Sequence, residues 1–339
     1  MNMATIKMKA LHWWMVVIFL FAVASFNKPF QQKASVIFDT DMGPDYDDVG
    51  AIAMLHALAD SNQVNILATI ASTRYEGVAS VLDILNTYFN RPTIPIGIPA
   101  GNGVDMRDRQ HWSDTLRKNY PHTIRSNKHV PEAVELYRRL LSREPDSSVT
   151  IITVGFLTNL NSLLLSKPDH YSRLNGTELV KQKVKKLVSM AGRFPSGKEF
   201  NVHIDAASAR YVFDNWPAPV VLSGFEIGEK IKSGIPLIRN ESIKKSPVKD
   251  VFRISIPLDK NDSIGRMSWD QTAVLVAVKG HEPYYRLQTG TMTIDEKGNN
   301  TWVDTGTKHS ILIQNRPPSE TAEYINKLMQ HQPVKRKKN

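Results

Sequence analysis

The chain has 339 residues, 41% of them hydrophobic, no cysteine and a formal net charge of +10. This composition suits one large or two ordinary globular domains and excludes disulfides, a thiolate nucleophile and any cysteine-ligated metal. A basic balance admits a nucleic-acid partner in principle. Here the Lys and Arg are scattered, and the densest clusters, residues 181–186 and 335–338, carry no interleaved aromatics. They read as solvated faces or ends, and no nucleic-acid partner is expected.

In chain order, Lys7 and Lys9 precede an apolar run at 11–25 that contains the small residues Ala22 and Ala24. Charge, apolar run and small residues make the pattern of a secretory signal, and the run is short against the roughly 20 residues of a membrane span. Residues 1–30 are therefore expected to be a signal peptide or an N-terminal anchor, with the protein exported to the periplasm or outside the cell, or held at the membrane. An α/β domain is expected over 31–331, followed by a basic tail at 332–339.

Past residue 35, apolar strand-like runs alternate with helical patterns. Strands are predicted at 35–38, 64–71, 93–98, 149–154, 186–190 and 219–222. Helices are predicted at 49–59, 77–89, 131–142, 157–165, 206–213, 271–278 and 319–329. Residues 101–130 show no period and read as a long polar loop, a length that is often functional. Residues 291–295 and 301–304 flank a turn-rich segment and predict a hairpin. Near-continuous apolar strands between helices predict an α/β fold: a mostly parallel sheet covered by helices on both faces, with a small antiparallel addition. In such sheets ligands sit beyond the carboxyl ends of the strands. That places candidate sites at 39–48, 72–76, 154–158 and 191–201.

The first of these reads "DTDMGPDYDD", five aspartates in ten residues beside an apolar strand. So many like charges need compensation. A helix N-terminus supplies about 0.3–1 kcal/mol per charge, and solvent supplies more. Capping and exposure account for one or two acids, but poorly for Asp39 and Asp41 at the end of a buried-looking strand. A hard divalent cation, which takes oxygen ligands, accounts for the density. The spacing is not that of an EF-hand, because the sixth and twelfth positions from Asp39 are Pro44 and Gly50. It matches a haloacid-dehalogenase-type phosphatase loop incompletely, because Gly43 stands at the fifth position.

"DTDMGPDYDDVGA" resembles the signature of the calcium-dependent nucleoside hydrolases, the inosine-uridine-preferring superfamily. Three further segments are similar to that family in order: "TVGFLTNL" from Thr153, "LVSMAG" with "KEFNVHIDAASA" from Leu187 and Lys198, and "SWDQTAV" from Ser268. The resemblance implies the nucleoside hydrolase fold. It also implies hydrolysis of the N-glycosidic bond of a ribonucleoside, or a related N-riboside, to ribose and free base, with a calcium ion (Ca2+) holding the attacking water. The implied partner is that small molecule, and assembly as a homo-oligomer stays open.

Residue by residue, the resemblance implies that Asp41 binds calcium and takes a proton from the water, and that Asp48 and Asp270 are calcium ligands. The backbone carbonyl of Val154 is a further implied ligand. Asp47 matches a carboxylate that grips ribose hydroxyls. The loop here has two extra residues around Pro44 to Tyr46, which leaves Asp45 and Asp47 interchangeable for that role. Glu199 and Asn201 match contacts to the 5′ side of the ribose, and Met190 and Thr73 match further sugar contacts. Trp269 stands where many members carry a histidine acid, and is implied to stack on the base. Asp39 supports the loop from behind. Trp112 is a candidate second stacking face, and His111, His122 and His129 are candidate acids. The alternative is a calcium- and sugar-binding protein of the same fold without turnover, motivated by the absent histidine and by a Gly-Asn pair missing before Glu199.

Overall fold

Every strand of the sheet except its antiparallel edge lies parallel to its neighbours, as unbroken apolar runs between helices require. The computed structural model describes residues 33–101 and 103–333. The expected signal segment and most of the basic tail lie outside these residues. From Ala34 onward the described residues form one compact unit.

The strands are β1 (Ala34–Thr40), β2 (Val64–Ala71), β3 (Ile96–Gly97), β4 (Val149–Thr153), β5 (Val184–Met190), β6 (Ser196–Lys198), β7 (Val220–Ser223), β8 (Lys232–Ser233), β9 (Arg266–Met267), β10 (Tyr285–Ile294), β11 (Asn299–Val303) and β12 (His309–Gln314). Ten of them make one sheet in the order β3-β2-β1-β4-β5-β7-β12-β10-β11-β6, and β8 and β9 pair separately. From β3 to β12 every pairing is parallel, whereas β12–β10, β10–β11 and β11–β6 are antiparallel. The predicted hairpin is the β10–β11 pair. β12 escaped the sequence reading; it returns between β7 and β10, a long-range placement with no local signal.

Side chains alternate across the sheet as strand geometry demands. Ile37, Ile151 and Leu187 point into one buried cluster with Leu160 and Leu222, while Phe38, Ile152 and Val188 point into the other with Ile52, Leu85 and Leu275. The helix Asp47–Asp60 is buried from Asp47 to Leu58, which fits a sequence that is apolar on every face. Several of the helices missed are polar. Gly176–Lys183, with its Asn175–Glu178 capping box, and Pro247–Ser255, capped by Ser246, bury only a few residues each. The Lys181–Lys186 cluster is accordingly the end of one helix and the start of β5, with Lys181 and Lys185 exposed and Lys183 donating to the Glu144 carbonyl at 2.9 Å.

The stretch 101–130 is not irregular throughout. It holds the helix Trp112–Asn119 and a 3-10 turn at Asn127–His129. Trp112 and Leu116 are the apolar residues that helix buries, too few to give a period. No described helix is long and apolar enough to cross a membrane.

Candidate active site

The strand order reverses direction between β1 and β4, and ligands of such sheets sit at that switch point. Val154 N donates to Asp39 O at 2.9 Å and Ser72 N to Thr40 O at 2.7 Å, so the three strand ends are locked together where the acidic loop begins. Two glycines let backbones converge here. A β-carbon on Gly155 would stand 2.3 Å from Asp41 N, and one on Gly50 would stand 2.4 Å from Gln271 Nε2. The second contact draws the helices Asp47–Asp60 and Trp269–Lys279 together near their N-termini. Both helices thus turn their positive ends toward the same acids.

The result is a cavity of about 240 Å³ lined by Asp41, Asp45, Asp47, Val154, Met190, Glu199, Asn201, Trp269 and Asp270, together with Phe200, Phe225 and Arg266. It lies near the lower end of the range for small-molecule sites, roughly 300–1,000 Å³. Carboxylate oxygens of Asp45, Asp47, Asp48 and Asp270 lie within 4.8 Å of one another. Asp48 accepts from Thr40 Oγ1 with one oxygen; the other, Oδ2, is buried without a hydrogen-bond partner. Burial first, then the neighbouring carboxylates led by Asp48, push Asp41 well above the usual carboxylate range. Burial and then Asp47 raise Asp270, and the same two causes lift Asp48 to about 6. Burial lifts Glu199 to about 7. An orphaned carboxylate oxygen in an all-oxygen cluster whose ionised state lacks compensation is what a hard divalent cation satisfies. The cluster fits a metal ion, with Asp48 and Asp270 among the carboxylates close enough to share one.

Asp39 faces away from the cavity. Its carboxylate accepts from Tyr137 Oη at 2.8 Å and Asn159 Nδ2 at 3.1 Å, and burial lifts it to about 7 despite those donors. It braces the loop, as expected.

Asp47 is committed to protein partners. Its Oδ1 accepts from Arg266 Nη2 at 2.7 Å and Nε at 3.0 Å, and its Oδ2 from the backbone N–H groups of Trp269 and Asp270, both at 3.2 Å. It caps the helix Trp269–Lys279 from a distant part of the chain, satisfying donors that helix would otherwise leave open. Asp45 is tied to the same guanidinium at 2.7 Å.

On the opposite wall, Glu199 caps the short helix Phe200–Ile204, accepting from Asn201 N at 2.9 Å and Val202 N at 3.2 Å, and also from Gly192 N at 3.2 Å. Asn201 Nδ2 reaches the carbonyls of Val154 at 3.3 Å and Met190 at 3.2 Å. Trp269 donates Nε1 to the Phe225 carbonyl at 2.8 Å, and its ring packs at 4.9 Å from that of Phe225. These two aromatics form one side of the cavity.

Five candidates lie elsewhere. Thr73 Oγ1 donates to the Met106 carbonyl at 2.8 Å and is not a lining residue. Trp112 is fully buried in the core, so it offers no stacking face. His111 is exposed and turned to Asp114, and His122 faces the Tyr120 carbonyl. Neither they nor His129 line the cavity. Arg266, Phe225 and Phe200 were not foreseen. Arg266 stands three residues before Trp269, but a single arginine carries no local sign of a long-range ion pair.

The sequence profile described as inosine-uridine preferring nucleoside hydrolase matches residues 36–328. A pyrimidine-specific ribonucleoside hydrolase, RihA, from Klebsiella pneumoniae (strain 342) is 31% identical over 204 residues, which cover 56% of this chain and 60% of that protein. Among solved structures, a plant nucleoside hydrolase (PpNRh1) superimposes with a TM-score of 0.68 at 16% identity, covering 88% of this chain and 99% of its own. A purine-preferring ribonucleoside hydrolase from Gardnerella vaginalis gives 0.67 at 16% identity, covering 87% and 99%. At these identities the structural likeness bears on the fold.

Proposed function

Because the chain belongs to the inosine-uridine preferring nucleoside hydrolase family, we propose that it hydrolyses the N-glycosidic bond of a ribonucleoside or related N-riboside, releasing ribose and free base. The ion we assign to the acidic cluster is calcium, held by Asp41, Asp48, Asp270 and the Val154 carbonyl. When bound, it supplies positive charge and lowers the proton affinity of water.

The chain's own residues divide the remaining work. Asp41 takes a proton from the water that attacks the anomeric carbon. The carboxylates facing the sugar stabilise the positive charge that develops there as the C–N bond breaks, most strongly where water is excluded. Glu199 and Asn201 accept and orient the 5′ side of the ribose, beside Met190. Trp269 and Phe225 meet the base. Among the described residues no imidazole lines the cavity, and this assignment gives no part to a histidine acid. We further assign the N-terminal segment to export.

The observation that carries the reading is the meeting of the acidic loop and Asp270, distant in the chain, where Asp41 and Asp270 line one cavity and the buried Oδ2 of Asp48, a member of the same carboxylate cluster as Asp270, is unpartnered. Reducing-sugar release from a panel of nucleosides, with calcium and with a chelator, tests it. Chelator-sensitive release that is lost in Asp41→Ala supports it, and release of phosphate instead contradicts it. A second reading, calcium and sugar binding without turnover, is favoured by the engagement of Asp47 with Arg266. It predicts measurable binding of calcium and ribose with no release from any nucleoside.

A further inference from the structure

The chemistry above uses the carboxylates of the cavity but not the cation buried among them. Arg266 is almost fully enclosed. Its Nη2 lies 2.7 Å from both Asp45 and Asp47, and its Nη1 3.6 Å from Asp262. The guanidinium is 4.9 Å from the Tyr46 ring centroid and 5.0 Å from that of Trp269. Tyr46 in turn donates its hydroxyl to Asp262 at 2.5 Å. Asp45 and Tyr46 both lie in the acidic loop, so the loop and the arginine form one clasp.

This clasp splits the acids into two sets. Asp45, Asp47 and Asp262 are paired with Arg266, whereas Asp41, Asp48 and Asp270 form no ion pair among the described residues. Yet the carboxylates of Asp45 and Asp47 lie close enough to those of Asp48 and Asp270 to compete for one ion. Without a positive charge beside them, Asp45, Asp47 and Asp262 would face one another uncompensated, and a divalent ion would take that place.

We propose that Arg266 is the resident second cation of this site, a positioning residue that holds Asp47 against the backbone of Trp269 and Asp270 and confines divalent metal to the Asp41, Asp48 and Asp270 side. Its planar fork contacts two carboxylates and lies against two aromatic rings, which the point charge of a lysine does not reproduce. The consequence for turnover rests on the hydrolase reading; the consequence for metal counting does not.

The test is calorimetric titration of calcium into chelator-stripped full-length protein, alongside ribose release. Wild type is expected to bind one calcium, and Arg266→Met two. At saturating calcium, kcat of Arg266→Met falls at least tenfold, and Arg266→Lys binds one calcium and recovers part of the loss. Asp45→Asn, at a half-exposed position, covers the case in which Arg266→Met does not fold. Because Asp45 belongs to the arginine's set, its calcium affinity stays within threefold of wild type. An Arg266→Met protein that binds one calcium with wild-type affinity overturns the proposal. So do an Asp45→Asn protein whose calcium affinity drops tenfold or more, and a wild type that binds two ions or none. A wild type that binds one calcium but releases no ribose defeats the hydrolase reading alone.

Discussion

Gly50 and Gln271 meet so closely that a β-carbon on the glycine would stand 2.4 Å from the glutamine amide nitrogen, with Met329 Cε and Phe252 Cζ at 3.1 and 3.2 Å. This contact, one helical turn from Asp47 and Asp48, sets the separation of the two helices whose N-termini carry the acids. Gly50→Ala is expected to force them apart. The cost is that of overpacking, about 1–3 kcal/mol, read as a lower thermal midpoint. Calcium affinity should fall as well, because Asp48 and Asp270 ride on the separated helices. A variant with a lowered midpoint and unchanged calcium affinity would disconnect the helix packing from the metal site.

Asn159 holds the hidden side of the acidic loop, donating to Asp39 at 3.1 Å and to the Ala71 carbonyl at 2.8 Å. Asn159→Ala leaves a buried carboxylate and a strand-end carbonyl short of a donor. A loss of about 1–3 kcal/mol of stability is expected, measured by denaturant unfolding, with a smaller loss in Asn159→Asp at pH below 6. If Asn159→Ala unfolds at the wild-type midpoint, the brace is not needed.

The raised acids make a pH prediction with a definite sign. Burial, reinforced by neighbouring carboxylates at Asp48 and Asp47, lifts Asp48, Asp47 and Glu199 to about 6, 7 and 7 in the folded protein, above the ordinary 3.8, 3.8 and 4.5. The folded state therefore binds more protons than the unfolded chain in this window. Without metal, stability is greatest in acid and is lost as pH rises through 6 to 7. Calcium requires the ionised carboxylates, so it reverses the loss. The calcium-induced rise in thermal midpoint should be larger at pH 8.5 than at pH 6.5. Buried His56, depressed to about 3 from 6.5, acts in the opposite sense and only as pH falls below 6.5. A calcium effect that is equal at the two pH values, or larger at 6.5, contradicts the assignment of Asp48 to a metal site.

Trp269 and Phe225 form the aromatic side of the cavity, which the proposed function gives to the base. Trp269→Ala removes both the ring and the donor to the Phe225 carbonyl. Stacking of a base on an aromatic is worth about 1–3 kcal/mol, so KM for a nucleoside should rise roughly tenfold or more while calcium affinity holds. Steady-state kinetics beside a calcium titration separate the two. Unchanged KM would move the base elsewhere.

Much of this was legible before any coordinates. Strands such as Val64–Ala71 and Val149–Thr153 are short apolar runs with only one reasonable partner architecture, and the parallel sheet follows from them. The switch-point rule then placed the acidic loop, Val154 and Met190 at one mouth. What stayed hidden depends on residues far apart in the chain. β12 slots between β7 and β10, and the polar helices bury a few side chains each. Arg266 acquires meaning only when Asp45 and Asp47, some 220 residues earlier, reach it. No local pattern announces that Asp47 caps a helix at Trp269.

The most direct measurement is ribose release from inosine and uridine by the full-length protein, first stripped with chelator and then resupplied with calcium, beside Asp41→Asn in the same buffers. The account predicts release by the wild type that disappears on stripping, returns with calcium, and is at least a hundredfold slower in Asp41→Asn. Release that survives stripping, or that Asp41→Asn sustains at the wild-type rate, would contradict it.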